Sequence, residues 1–290
     1  MDKIPLIYDC DNTMGLAGAD VDDGLTLLYL LAQPDIELLG VTLTHGNSSL
    51  NNVIAATESL VSDLGLKDLP VYSGPQAARF MIETTEQHTD DLYLLATGTM
   101  TNLQAAADRE PAFYTRLRRL YLMGGITQPL TLNGHTVNEL NFSVDPVAAL
   151  NVLNAPVETI LINGHTGSQA LFGVEELARL KREEGPLFQY IASKIQPWVD
   201  RIYNKFQIEG FCNWDMAAAI IITRPELFSN EKVMINPTLN SVQSGDIAVT
   251  TQGKTIAMPS TINDIEQFNA LIFEAFDRLQ LELVEKAVFT

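Results

Sequence analysis

Cysteine is nearly absent: Cys10 and Cys212 are the only two in 290 residues, too few for a disulfide framework. The opening Met1-Asp2-Lys3-Ile4-Pro5 lacks the long apolar stretch of a signal peptide, so a reducing cytoplasm is the expected setting. No apolar run approaches the roughly 20 residues that a bilayer-spanning helix needs, because charges or prolines interrupt the longest candidates. Basic residues are also scarce. Lys and Arg number 18 against 36 Asp and Glu, a formal net charge of −18, which disfavours phosphate backbones and anionic lipid surfaces. Neither nucleic acid nor membrane is therefore an expected partner. Repeats, low-complexity tracts and Pro/Gly/Ser-rich linkers are missing as well, so the chain is expected to form one domain over residues 1–290. The 46% hydrophobic content suffices for one sizeable core.

What is present is an alternation of short β-branched or leucine-rich runs with helical patterns. Strands are predicted at Ile4–Tyr8, Ile36–Thr42, Leu92–Ala96, Leu117–Met123 and Val157–Ile162. Between them lie helices at Asp22–Gln33, Asn51–Leu64, Thr101–Asp108 and Asp145–Leu153. The second half is more helical, with Val174–Arg182, Pro186–Phe206, Asp215–Ile222 and a closing helix from Asp264 to about Glu282. Ile247–Thr251 and Lys254–Met258 look like a hairpin turned at Gln252-Gly253. The pattern predicts an α/β fold with a largely parallel central sheet flanked by helices, whose ligands bind beyond the C-terminal strand ends.

Acidic residues gather where such a site would form. Asp9-Cys10-Asp11 follows the first apolar run, and Asp20-Val21-Asp22-Asp23-Gly24 opens the next helix. Capping of helix amides accounts for one of these carboxylates but leaves four others near the same strand end. Like charges so close raise one another's pKa unless a cation compensates them, so a divalent metal is the economical explanation. Hard oxygen donors without a Cys or His cluster favour calcium or magnesium over zinc. Asp9-Cys10-Asp11-Asn12-Thr13 also resembles the nucleophile motif of haloacid-dehalogenase-like magnesium phosphatases, but the later lysine and acidic pair of that family find no convincing match.

Further motifs follow in order: Thr44-His45-Gly46-Asn47, Ala96-Thr97-Gly98-Thr99-Met100-Thr101-Asn102, Leu122-Met123-Gly124-Gly125, Asn138-Glu139-Leu140-Asn141-Phe142 with Asp145-Pro146, and Asn213-Trp214-Asp215. Together with Asp9-Cys10-Asp11 and Asp22-Asp23, they resemble the inosine-uridine-preferring nucleoside hydrolases over nearly the whole chain. The resemblance implies calcium-dependent cleavage of a ribonucleoside into ribose and free base by a homodimer or homotetramer. It implies calcium ligands at Asp11, Asp23 and Asp215 with the Thr97 backbone carbonyl, and Asp11 as general base. Asp22, Asn47, Asn133, Glu139 and Asn141 would hold the ribose hydroxyls, and Asp9 would orient its neighbours. Bond cleavage leaves positive charge on the sugar, which an acidic pocket stabilises.

Three departures from the family pattern stand out. The spacer from Asn12 to Val21 is longer than usual. Trp214 occupies the position where many members carry a His, and an indole is no general acid near neutral pH, though it can stack on a base. The stretch from Pro75 to Asp91, which holds His88, is much shorter than the mobile substrate loop of familiar members. Tyr203 lies in a segment, Trp198–Phe206, that lines the base pocket in relatives. These departures keep open a non-hydrolysing nucleoside- or ribose-binding homologue.

Overall fold

A computed structural model describes the backbone of residues 3–288 and the side chains of residues 3–285. The strands in chain order are β1 (Ile4–Cys10), β2 (Ile36–Leu43), β3 (Val71–Ser73), β4 (Tyr93–Ala96), β5 (Arg119–Met123), β6 (Leu130–Leu132), β7 (His135–Val137), β8 (Thr159–Ile162), β9 (Leu171–Phe172), β10 (Phe211–Cys212), β11 (Lys232–Ile235), β12 (Val249–Thr250) and β13 (Lys254–Ala257). The helices are α1 (Asp22–Leu31), α2 (Leu50–Asp63), α3 (Pro75–Gln87), α4 (Thr101–Arg109), α5 (Pro146–Leu153), α6 (Gly164–Gly167), α7 (Val174–Arg182), α8 (Pro186–Phe206), α9 (Trp214–Thr223), α10 (Leu239–Val242) and α11 (Ile265–Val288).

Nine strands form one sheet in the order β12-β11-β13-β8-β5-β4-β1-β2-β3. All pairings from β13 through β3 are parallel, and β11 is antiparallel to both of its neighbours. The apolar runs are continuous because both faces are covered. Leu6, Tyr8, Leu95, Tyr121 and Ile162 pack on one face against α1, α8, α9 and α11. Ile7, Leu94, Leu120 and Leu161 pack on the other against α3, α4 and α5.

The predicted hairpin does not form. β12 and β13 are separated by β11, with Met234 opposite Thr250 on one side and opposite Thr255 on the other. Residues 251–253 therefore pass over the end of β11 instead of turning directly back. Gly253 makes that passage possible, since a Cβ there would collide with the Ile235 carbonyl. The segment after Pro75 is a helix, α3, which buries Ala77, Ala78, Met81, Thr84 and Thr85. It runs back from the C-terminal end of β3, so His88 at its close lies beside the start of β4, at the other end of the sheet from the acidic residues.

Candidate active site

β1 carries Asp9 in its last turn of pleat and releases Asp11 just beyond its end. Alternation along the strand sends Asp9 toward the α4 face, where its Oδ1 accepts from Thr42 Oγ1 at 2.6 Å and Asn102 Nδ2 at 2.8 Å. This fully buried carboxyl ties β1 to β2 and α4, and burial pushes its pKa to about 7. Asp11 is held differently. Its Oδ2 accepts the Asn47 backbone N–H, while its buried Oδ1 has no partner. Gly46 permits the approach, because a Cβ there would run into the Asp11 carboxylate.

The remaining carboxylates come from two helix starts. α1 opens at Val21 without a side-chain cap, and Asp22 Oδ1 instead accepts the Asp23 N–H at 3.2 Å. Asp22 Oδ2 reaches the first turn of α9, accepting the Asp215 N–H at 3.4 Å. Local amides engage Asp22 and also Asp20, whose Oδ1 accepts the Val21 N–H at 2.7 Å, but among the described residues no helix-start amide holds Asp23 or Asp215. Thr97 Oγ1 donates to Asp23 Oδ1 at 2.8 Å, and the Asp11 N–H reaches the same oxygen at 3.3 Å. Carboxylate oxygens of Asp22, Asp23 and Asp215 all lie within 4.8 Å of one another. Burial first, and mutual repulsion next, hold Asp11 and Asp215 well above the usual carboxylate range. Burial and the charges of Asp20 and Asp23 do the same to Asp22. Asp23 is raised by burial against the pull of its hydrogen bonds. No Lys or Arg forms an ion pair with any of these four among the described residues.

Such a cluster of buried, hard oxygen donors can hold a divalent cation, and the unpartnered Asp11 oxygen at its edge fits that use. The Thr97 carbonyl lies beside it, accepting from Asn141 Nδ2 at 2.6 Å. Four carboxylates held together without a cation would be an expensive arrangement.

The cluster closes one end of a cavity of about 390 Å³. Asp20, Asp22, Asn47, Thr97, Asn141 and Asp215 line its acidic end. Glu139 also lines it, but its carboxylate is already engaged: Oε1 accepts from Gly125 N at 3.1 Å and Phe142 N at 2.9 Å, and Oε2 from Ser143 N at 2.9 Å. Glu139 thus fastens the loop that presents Asn141 to the Gly124-Gly125 turn. The far end is built by Ile126, Leu130 and Val137, by Trp214, and by Trp198, Ile202 and Phe206 of α8. Trp214 Nε1 donates to the Gly164 carbonyl at 3.3 Å, and its ring rests on Gly167, where a Cβ would clash.

Asp11 and Asp23 stand behind Asp22 and Asp215 and are not among the lining residues, and Asn133 and Tyr203 are not brought into this group at all. Asn133 sits at the tip of the β6–β7 hairpin with φ 45°, followed by Gly134 at 79°, and donates to the Phe206 carbonyl at 2.9 Å. Asn is favoured at such positive φ, so the turn itself explains it. Tyr203 points outward, 47% exposed, because the cavity takes the opposite stripe of α8. The sequence puts Asp20 in the acidic cluster without a role and singles out Tyr203 from the Trp198–Phe206 segment, whereas the structure brings Asp20 to the cavity wall, its pKa pushed to about 6 by burial, and takes Trp198, Arg201 and Lys205 from that segment. The apolar spacing of α8 was visible, but which stripe faced a cavity was not.

Comparison with known proteins agrees with this geometry. The sequence model for inosine-uridine preferring nucleoside hydrolases matches residues 6–280. A pyrimidine-specific ribonucleoside hydrolase, RihB, of Escherichia coli (strain SE11) is 22% identical over 276 residues, covering 83% of this chain and 85% of the relative. Among solved structures, a purine-preferring ribonucleoside hydrolase from Gardnerella vaginalis superposes with a TM-score of 0.82 at 19% identity, covering 96% of this chain and 99% of that one. A plant nucleoside hydrolase, PpNRh1, gives 0.82 at 17% identity, with 95% and 98% covered. With its motifs in order, its fold shared and the family match spanning almost its full length, the chain belongs to the inosine-uridine preferring nucleoside hydrolase family and is a hydrolase of N-glycosyl compounds.

Proposed function

We propose that this protein hydrolyses the N-glycosidic bond of ribonucleosides in a calcium-dependent reaction, giving ribose and free base. The carrying observation is the convergence of Asp11, Asp22, Asp23 and Asp215, with no basic side chain paired to them among the described residues, at one end of a nucleoside-sized cavity. Asp11, Asp23 and Asp215 with the Thr97 carbonyl would hold the ion, and Asp22, Asn47, Glu139 and Asn141 would face the ribose. A bound calcium ion supplies Lewis acidity toward water and a charge that grips vicinal hydroxyls. Asp11 is the general base in this reading. The Asn47 N–H holds one of its oxygens and leaves the other free to take a proton from water as the water oxygen bonds to the anomeric carbon. The C–N bond breaks, its electron pair leaves with the base, which takes a proton from solvent while Asp11 returns its own to solvent, and the surrounding carboxylates stabilise the positive charge developing on the ribose.

Trp214 cannot protonate the departing nitrogen and would instead stack on the base, its ring position fixed by Gly164 and Gly167. Both cysteines are free and buried, in keeping with a reducing, cytoplasmic setting, and release of free base from a ribonucleoside is a salvage reaction. The test is release of reducing sugar from a ribonucleoside panel, with calcium added or chelated. Calcium-dependent release supports the reading. Absence of release from every nucleoside, with calcium still bound, would replace it by a non-hydrolysing ribose-binding protein, and magnesium-dependent phosphate release would replace it by a phosphatase.

A further inference from the structure

Where α8 borders the cavity, two cationic side chains stand beside the apolar ones. Arg201 and Lys205, one turn apart on α8, both line it, and neither forms an ion pair among the described residues, although Asp20 and Asp22 line the same cavity. In a chain with twice as many acidic as basic residues, two neighbouring cations left without a carboxylate are unexpected on electrostatic grounds. The position of Arg201 is set rather than free. Its Nη1 donates to the Gly18 carbonyl of the long spacer at 2.6 Å, and its guanidinium lies 5.8 Å from the centre of the Trp198 ring. Lys205 rests over the Phe206 ring at 4.7 Å. Trp198, which also lines the cavity, carries a buried indole N–H with no acceptor.

Given the ribose at the carboxylate end, which rests on the proposed function, the base must extend toward α8. We propose that Trp198, Arg201 and Lys205 select ribonucleosides whose base carries negative charge on the edge remote from the sugar, as a carboxylate or an ionised ring. Both cations are exposed at the mouth of the cavity, so they meet this remote edge and stand away from the glycosidic nitrogen. Selection then falls on substrate charge and the bond-breaking step remains with the acidic end.

The experiment compares kcat/KM for two matched pairs, uridine with 5-carboxyuridine and purine riboside with its 6-carboxy derivative, each carboxylate lying on the edge remote from the sugar. The expected result is a preference of about tenfold for the anionic member, falling at raised ionic strength. Lys205→Glu, whose parent side chain makes no hydrogen bond among the described residues, should abolish or reverse that ratio, as should Arg201→Gln. Trp198→Phe, which keeps the ring and removes the donor, should lower it. Equal kcat/KM within each pair, or a ratio that survives Lys205→Glu, overturns the proposal and leaves the hydrolase reading intact. Failure of the hydrolase reading looks different: no ribonucleoside, charged or neutral, releases sugar.

Discussion

Removal of the cation should weaken this protein by an amount that grows with pH. Asp11, Asp22, Asp23 and Asp215 are all held above their ordinary pKa by burial and by one another, so the cation-free folded chain binds protons more tightly than the unfolded chain does. Groups of that kind contribute stability below their unfolded pKa, near ~4, and lose it as pH rises through the folded value. Among their neighbours that value is about 6 for Asp20 and about 7 for Asp9. The chelated protein should accordingly lose stability as pH rises above ~4, with Asp20 and Asp9 contributing up to about 6 and about 7 and the clustered carboxylates, held well above their ordinary range, adding to the loss. Calcium at roughly 1,000 times its dissociation constant adds about 4 kcal/mol to the folded state. For a chain of 290 residues the unfolding entropy near the midpoint is on the order of 0.6 kcal/mol per kelvin, so Tm should rise by about 7 °C at the alkaline end. At the acidic end protons already occupy the carboxylates, and the shift should shrink to about a degree or two. Scanning calorimetry in calcium or in chelator, at fixed ionic strength from about pH 5 to about pH 8, measures it. A calcium shift that is absent near pH 8, or larger near pH 5, would refute the reasoning.

Asp11→Asn should lower kcat by about 10²- to 10⁴-fold while circular dichroism stays unchanged, and near-normal turnover would remove Asp11 as the base. Glu139→Gln replaces an acceptor of several backbone N–H groups by a side chain with one oxygen, and should cost about 1–3 kcal/mol in denaturant unfolding. A neutral result there would show that the loop does not depend on the carboxylate. Loss of the 2′-hydroxyl leaves polar site groups unpaired, so 2′-deoxyribonucleosides should fall at least ~100-fold in kcat/KM, and comparable turnover of both sugars would count against the ribose contacts. Trp214→Ala should reduce purine nucleoside turnover by up to about tenfold more than pyrimidine turnover, since the larger ring stacks more, and equal losses would sink the stacking role.

The parts of this molecule legible in its sequence are those that local pattern controls. α7 and α8 have the expected bounds, and Asp145 caps α5 by accepting from Ala148 N, so that helix starts at Pro146. Asp11 does stand at a C-terminal strand end, because an apolar run followed by carboxylates in a parallel sheet has one favoured placement. What stayed hidden depends on partners distant in the chain. The seating of β11 between β12 and β13 leaves no mark in the residues near Gly253 beyond the glycine itself, which a hairpin also explains. The backbone donors that Glu139 gathers include one from distant Gly125, and the positive φ that fixes Asn133 in a turn is a property of the backbone. The meeting of Asp22 with the Asp215 amide joins positions 193 residues apart, and only the packing of α1 on α9 reveals it.

The sheet has one property that concerns the molecule's behaviour among copies of itself. Its two outermost strands are very short, β3 with three residues at one border and β12 with two at the other. Strand borders are templates on which foreign backbone can align, and brevity is one of the means by which natural sheets blunt them. A nine-stranded sheet rich in Leu, Ile and Val would otherwise be prone to fibrillar growth through its margins. Here the interior strands carry that apolar sequence and are flanked on both sides, so the segments best suited to cross-β stacking become available only when the domain unfolds. Resistance to aggregation in this protein is therefore set by its global stability.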